Sequence, residues 1–172
     1  MLSSVLVTYA SRAGATAGVA EAIGKTLVEQ GAQVDVVAMQ DVKDLTPYRA
    51  VVIGSAIQGG AWLPEAVQFV KTNHIELAAV PVAMFTVCMT LAMKNKPDPK
   101  VIEDWVAPVR KMLHPRSETF FAGMLDLSKV PSFGDRLKFR LSVMAGVWSE
   151  GDHRDWDAIR RWAGEISPIL AA

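Results

Sequence analysis

Apolar positions along this chain alternate between two rhythms. Val5-Leu6-Val7-Thr8-Tyr9 is a continuous apolar run of strand length. Val19, Ala20, Ile23 and Leu27 then recur at helical spacing, and Gly31 stands where a helix C-terminus favours glycine. Val34, Val36 and Val37 make a second β-branched run, followed by a polar connection from Asp41 to Tyr48. Ala50-Val51-Val52-Ile53-Gly54 is again unbroken, as strands covered on both faces are. Pro64 suits the first turn of a helix whose apolar side carries Ala66, Val67, Phe69 and Val70. Val80 to Val87 reads as the fourth strand. Asp98-Pro99 opens a helix with Val101, Ile102, Trp105, Val106, Val109, Met112 and Leu113 on one face. Pro108 inside it predicts a kink or a boundary. Thr119 to Leu125 reads as the fifth strand. The last helix begins near Asp155, with Trp156, Ile159, Trp162 and Ile166 on its buried side. Strands alternating with helices imply a doubly wound α/β fold. Its five parallel strands take the order 2-1-3-4-5, with helices on both faces and right-handed crossovers.

One segment breaks the alternation. Between the fifth strand and the last helix, about residues 126–154 form an insertion. Its middle, Phe133 to Trp148, reads as a helix with Leu137, Leu141, Met144 and Trp148 on one stripe. Arg136, Phe139, Arg140 and Val143 lie on another side. The first stripe is expected to pack on the sheet domain, leaving the side with Phe139 and Val143 available. Arg110, Lys111, Arg116, Lys129, Arg136, Lys138 and Arg140 outweigh Glu118, Asp126 and Asp135, so this region is locally basic. Two readings stand side by side: a helix packed on its own domain with solvated cationic heads, or a contact with an apolar partner, a porphyrin-like substrate or an anionic membrane.

Composition narrows the class. A chain of 172 residues with 51% hydrophobic and 21% charged residues is long and apolar enough for one globular domain, residues 1–172. A formal net charge of zero argues against nucleic acid as a partner. A single cysteine, Cys88, excludes an internal disulfide and any cysteine cluster for metal, and fits a reduced, cytoplasmic compartment. His74, His114 and His153 have no metal-ligand spacing and read as surface residues. No leader pattern opens the chain and no apolar run spans a bilayer.

In a doubly wound sheet, ligands bind beyond the strand C-termini at the switch between strands 1 and 3. The loops there are Ala10–Thr16, Ser55–Trp62 and Thr86–Pro97. The first is made of small and hydroxyl residues: Ala10-Ser11-Arg12-Ala13-Gly14-Ala15-Thr16. It feeds a helix whose first amides lack intrahelical partners and whose dipole favours an anion. Gly14 permits a positive φ or a close backbone approach, and Ser11 and Thr16 offer hydroxyls. The spacing matches neither G-x-G-x-x-G nor G-x-x-x-x-G-K-[ST]. The plainer reading is an ordinary strand-to-helix turn with a hydroxyl cap. No Ser/His/Asp set and no carboxylate pair stands out, so the residues themselves offer no catalytic group.

Ser11-x-Ala13-Gly14-x-Thr16 resembles the flavodoxin phosphate loop [ST]-x-T-G-x-T, with Ala13 where a central Thr is usual. Val51-Val52-Ile53-Gly54-Ser55-Ala56-Ile57-x-x-Gly60 is similar to the VVIG-x-S-I-x-x-G stretch of the menaquinone-dependent protoporphyrinogen dehydrogenase family of flavodoxin-like proteins. Phe121-Ala122-Gly123-Met124-Leu125, the inserted helix and Asp155-Trp156 follow the same layout. Gln58 replaces a common basic residue, and Gly59-Gly60 stands where an aromatic precedes the glycine. The resemblance implies a flavodoxin-like fold and FMN held by three loops. Ser11, Arg12, Ala13, Gly14, Ala15 and Thr16 would hold the phosphate. Ala56, Ile57, Gln58, Gly59 and Gly60 would present amides near the flavin N5. Trp62 would stack on the ring or belong to the core. Thr86, Val87, Cys88, Met89 and Thr90 would reach the pyrimidine edge, with no aromatic there, leaving one ring face open. Cys88 itself reads as a small buried apolar residue.

The function expected from this resemblance is an FMN-dependent oxidoreductase in which the flavin carries the chemistry. It would pass electrons from a porphyrinogen-like or other small reductant to a quinone, in the cytoplasm or at the inner face of a membrane touched by Phe133–Trp148. The alternatives are an electron carrier with a protein partner, for which the chain lacks the usual acidity, and a cofactor-free interaction module.

Overall fold

The computed structural model describes residues 4–172; the reading of the extreme N-terminus as free of a leader lies outside them. Ser4–Ala10 forms β1 and Ala15–Glu29 forms α1. Gln33–Ala38 is β2, Ala50–Gln58 is β3 and Ala61–Trp62 is β4. Pro64–Thr72 is α2, His74–Ala78 is α3 and Val82–Val87 is β5. Pro99–Leu113 is α4, Ser117–Phe121 is β6 and Met124–Leu125 is β7. Phe133–Met144 is α5, Gly151–Asp152 is β8 and Trp156–Ala171 is α6.

The main sheet is parallel in the order β2-β1-β3-β5-β6, with β4 antiparallel beside β3. Counting only its five long strands, this is the expected order 2-1-3-4-5. Side-chain alternation along each strand divides the core into two layers. Val5 and Val7 of β1 join Ile23 and Leu27 of α1 and Ile159, Trp162 and Ile166 of α6 on one face. Leu6 of β1 joins Val51 and Ile53 of β3 and Val106 and Val109 of α4 on the other. The central strands are buried along almost their whole length, which is why their sequences read as unbroken apolar runs.

Several elements depart from the sequence reading. β3 runs four residues past Gly54 and folds back through Gly59 (φ 61°) and Gly60 (φ 75°). Two consecutive positive φ values are what a two-residue hairpin turn requires, so the expected open loop is a hairpin. The helix after Pro64 breaks at Asn73, whose side-chain amide donates to the Phe69 carbonyl at 2.8 Å. Pro108 does not end α4; it sits on the exposed side, where a missing N–H leaves no buried carbonyl unpaired. The expected fifth strand is two pieces. β6 pairs with β5, whereas β7 leaves the sheet and pairs with β8.

The inserted helix is shorter than expected and faces the other way. α5 ends at Met144 and contains no buried residue. Its outward stripe is Phe133, Leu137, Leu141 and Met144, with Phe133 79% and Met144 78% exposed. Phe139 and Val143, expected to be free, are half-buried, and Phe139 meets Trp148 edge-on at 6.3 Å. Arg136 turns inward to donate to the Val130 carbonyl at 2.9 Å.

Candidate functional site

Three strand ends meet at one edge of the sheet. Ala10 of β1 lies opposite Ser55 of β3, and Ser55 lies opposite Thr86 of β5. The three candidate segments therefore leave neighbouring, in-register strands, and a ligand above that edge is within reach of all of them.

The segment after β1 carries hydrogen-bond donors that the protein leaves unpaired. Gly14 adopts φ 89°, a left-handed conformation that costs an L side chain but not glycine. A Cβ on Gly14 would meet nothing within 4 Å, so backbone strain, not crowding, demands glycine there. The Ser11 hydroxyl accepts the Gly14 N–H at 3.1 Å, a bond that shapes the loop. No side chain caps α1, and among the described residues the amides of Ala15, Thr16 and Ala17 find no acceptor. Thr16 is 1% exposed, and its hydroxyl is buried without a hydrogen-bond partner. An orphaned buried hydroxyl beside free helix-end amides costs free energy unless a ligand completes it. The donor set of amides and a hydroxyl fits a phosphate.

Arg12 does not turn toward these donors. Its guanidinium pairs with the Glu65 carboxylate of α2 through two contacts, one of them at 2.9 Å. The Arg12 hydrogen bond holds the Glu65 carboxyl below its ordinary pKa. This pair ties the first loop to α2. A cleft of about 210 Å³ opens beside it, bordered by Tyr9 to Arg12, Ala38 to Gln40 and Glu65. It lies toward the end of β2, and no residue of the β3 or β5 segments lines it.

Along the β3 segment, Ala56 and Ile57 are half-buried, Gln58 and Gly59 are exposed, and Gly60 is half-buried. A Cβ on Gly60 would come within 3.2 Å of the Trp105 indole nitrogen, so Trp105 of α4 backs the hairpin. Of its two expected places, stacked on a ring or in the core, Trp62 takes the core. It is 2% exposed and its indole N–H donates to the Thr86 hydroxyl at 2.9 Å, so it joins β4 to β5 inside the core. The buried Ser55 hydroxyl accepts the Leu63 N–H at 3.1 Å and closes the same corner.

Along the β5 segment, Thr86, Val87 and Cys88 are buried, while Met89 and Thr90 are half-buried at the start of a tight turn. Cys88 has the expected place of a small buried thiol, and its N–H donates to the Phe121 carbonyl at 2.9 Å. His74 and His114 are exposed and His153 is half-buried. Among the described residues no group of three His, Cys, Asp or Glu side chains has metal-binding proximity.

Arg154 is the residue at this site that the sequence did not reveal. It comes from the end of the insertion and donates to the Ala15 carbonyl in the first turn of α1 at 3.2 Å. Its contact crosses 139 residues, and no local pattern encodes that.

Comparison with known proteins agrees with this architecture. A model described as the flavodoxin domain matches residues 6–154. A protein named protoporphyrinogen IX dehydrogenase [quinone], from Leishmania major, is 29% identical across 97% of this chain and 76% of its own. Among solved structures, a flavodoxin from the domain Archaea superposes with a TM-score of 0.56 at 18% identity, covering 98% of this chain and 99% of its own. An NADH:FMN oxidoreductase (EMOB), in its apo form, gives a TM-score of 0.61 at 13% identity, covering 98% and 90%.

Proposed function

The chain belongs to the flavodoxin domain family, and from that premise we propose that it is an oxidoreductase binding FMN beyond the ends of β1, β3 and β5. Electrons pass from a porphyrinogen-like or other small reductant to a quinone. The observation that carries the cofactor is the unpartnered, buried Thr16 hydroxyl beside the free amides of α1. The similarity to a quinone-dependent protoporphyrinogen IX dehydrogenase supports the substrate classes.

When bound, FMN supplies the redox chemistry; the chain's own residues bind, orient and limit access. The amides of residues 15 to 17 and the Thr16 hydroxyl would hold the phosphate. The exposed Gln58 and Gly59 and the half-buried Met89 and Thr90 would flank the ring. No aromatic ring follows β5 before Pro97, which would leave that side open to a flat substrate.

Flavin fluorescence titration tests the cofactor. Wild-type protein is expected to quench FMN fluorescence at micromolar concentration. Thr16→Val is expected to weaken binding by about tenfold or more, through one charge-assisted hydrogen bond of ~1.5–3 kcal/mol. Because the hydroxyl has no protein partner, the same variant should keep or slightly raise the melting temperature. No quenching by folded wild type would leave the cofactor-free interaction module. Stopped-flow mixing of photoreduced holoprotein with a menadione-type quinone tests the acceptor. Reoxidation no faster than that of free reduced FMN would favour a carrier that serves a protein partner.

α5 suggests where the quinone is met. Its outward stripe is apolar, with Lys138 and Arg140 exposed on the same helix. Lys94 lies close by, its Nζ 4.0 Å from where a Gly146 Cβ would stand. The helix is therefore suited to rest on the cytoplasmic face of an anionic bilayer that holds quinone. No described helix is long and apolar enough to cross a membrane.

A further inference from the structure

The insertion does more than project α5 outward; its returning end reaches the helix that follows the phosphate loop. Arg154 is the point of contact. Its Nε and Nη2 donate to the Asp152 carboxylate at 2.8 and 2.7 Å. Its guanidinium carbon lies 4.4 Å from the centre of the Trp156 ring. Its Nη1 donates to the Ala15 carbonyl at 3.2 Å. The side chain is only 11% exposed. Asp152 and Trp156, with Met124 Sδ 3.6 Å from Nη2, hold the head group in one orientation, so Nη1 has a defined target.

Gly18 makes the seat. A Cβ at that position would stand 2.5 Å from Nη1, a distance that real Cβ atoms do not tolerate. Gly18 lies in the first turns of α1, where alanine is the better helix former. The local preference is overruled by the space the guanidinium occupies.

The consequence for the anion site follows from peptide geometry. The Ala15 carbonyl and the Thr16 N–H belong to one planar trans peptide and point in opposite directions. A donor that fixes the carbonyl therefore aims the N–H at the open end of the helix. A cationic donor on the carbonyl also polarises the peptide and strengthens the N–H as a donor. We propose that Arg154 is a positioning residue for the phosphate loop, seated by Gly18, through which the insertion sets the aim of the Thr16 amide. This rests on the reading of the loop as the phosphate site of FMN.

The test compares FMN with riboflavin, which lacks the phosphate, in Arg154→Gln and Gly18→Ala. The second variant keeps the arginine, displaces its head and improves helix propensity, so it folds even if the first does not. In both, the ratio of FMN to riboflavin affinity is expected to fall about tenfold, with riboflavin binding changed by less than about twofold. A general loss of packing would move both ligands together. A ratio equal to that of wild type in both variants overturns the proposal. Hydrogen exchange in the ligand-free protein reads the clamp independently of flavin. The Val19 amide, whose helical partner is the Ala15 carbonyl, is expected to exchange several-fold faster in both variants. Unchanged exchange there overturns the clamp even if FMN binds. If wild type does not bind FMN but the exchange rises, the cofactor reading falls and the clamp stands.

Discussion

Gly54 and Phe85 show how one residue fixes its neighbour at the residue scale. They lie opposite each other on β3 and β5, and the Phe85 ring covers the space above the glycine. A Cβ on Gly54 would come within 2.1 Å of that ring. Phe85 also meets Trp162 edge-on at 6.4 Å and is itself fully buried, which limits its retreat. Gly54→Ala is expected to destabilise the protein by ~1–3 kcal/mol through overpacking. That corresponds to a melting-temperature drop of roughly 2–12 °C in a domain of this size. A variant as stable as wild type would mean that Phe85 moves freely. The Arg12–Glu65 pair makes a pH-dependent contribution of known sign. Glu65 is held below its ordinary pKa, so the contribution is present above the unfolded carboxylate pKa. It is lost as pH falls through the lower folded value. Both side chains are nearly half exposed, 48% and 40%, so solvent screening keeps the effect under ~1 kcal/mol. Urea unfolding of Arg12→Ala against wild type should show that small gap at neutral pH and none near pH ~2. At this scale Gly14 and Thr16 were legible in the sequence, because a strand-loop-helix pattern places them. Trp62 and Arg154 were not, since their partners lie 24 and 139 residues away.

Elements were legible where burial imposes a rhythm and illegible where it does not. The sheet strands and α1, α4 and α6 follow their apolar spacing because each has a face covered by the core. β6 and β7 read as one strand because the apolar run continues through Ala122, and the glycine at 123, which marks the break, does not by itself say that the chain leaves the sheet. A Cβ at 123 would come within 3.3 Å of the Met89 and Val87 side chains, a tight contact that glycine avoids. α5 has two apolar sides, and periodicity does not choose between them. The choice is made by contacts outside the helix, Arg136 to Val130 and Phe139 to Trp148. Its exposed stripe leads to a prediction at this scale. Wild-type protein should co-sediment with anionic vesicles more than with neutral ones. Lys138→Glu combined with Arg140→Glu should weaken the anionic binding more than tenfold, since each basic residue near such a surface contributes ~1 kcal/mol. Equal sedimentation in all four combinations would leave α5 without a membrane role.

Across the whole molecule, stability is unevenly shared. Two buried layers enclose the sheet, and α6, from the far end of the chain, is part of the first of them. Residues Asp126 to Arg154 contribute no buried side chain to either. Opening this segment exposes little apolar area, whereas opening β1, β3 or β5 exposes the centre of both layers. Local unfolding free energy scales with such contacts, so the insertion is expected to open well before the rest. Brief trypsin treatment should therefore cut first at Lys129, Lys138 or Arg140, all exposed. The two fragments should stay together, because α6 packs against α1 through Ile159, Trp162 and Ile166 on one side and Ile23 and Leu27 on the other. The nicked protein should keep its far-ultraviolet circular dichroism, elute at the size of the intact chain and still carry Arg154 beside Ala15. Early cleavage within the sheet, or separation of the fragments on nicking, would show that the insertion and the sheet unfold as one unit.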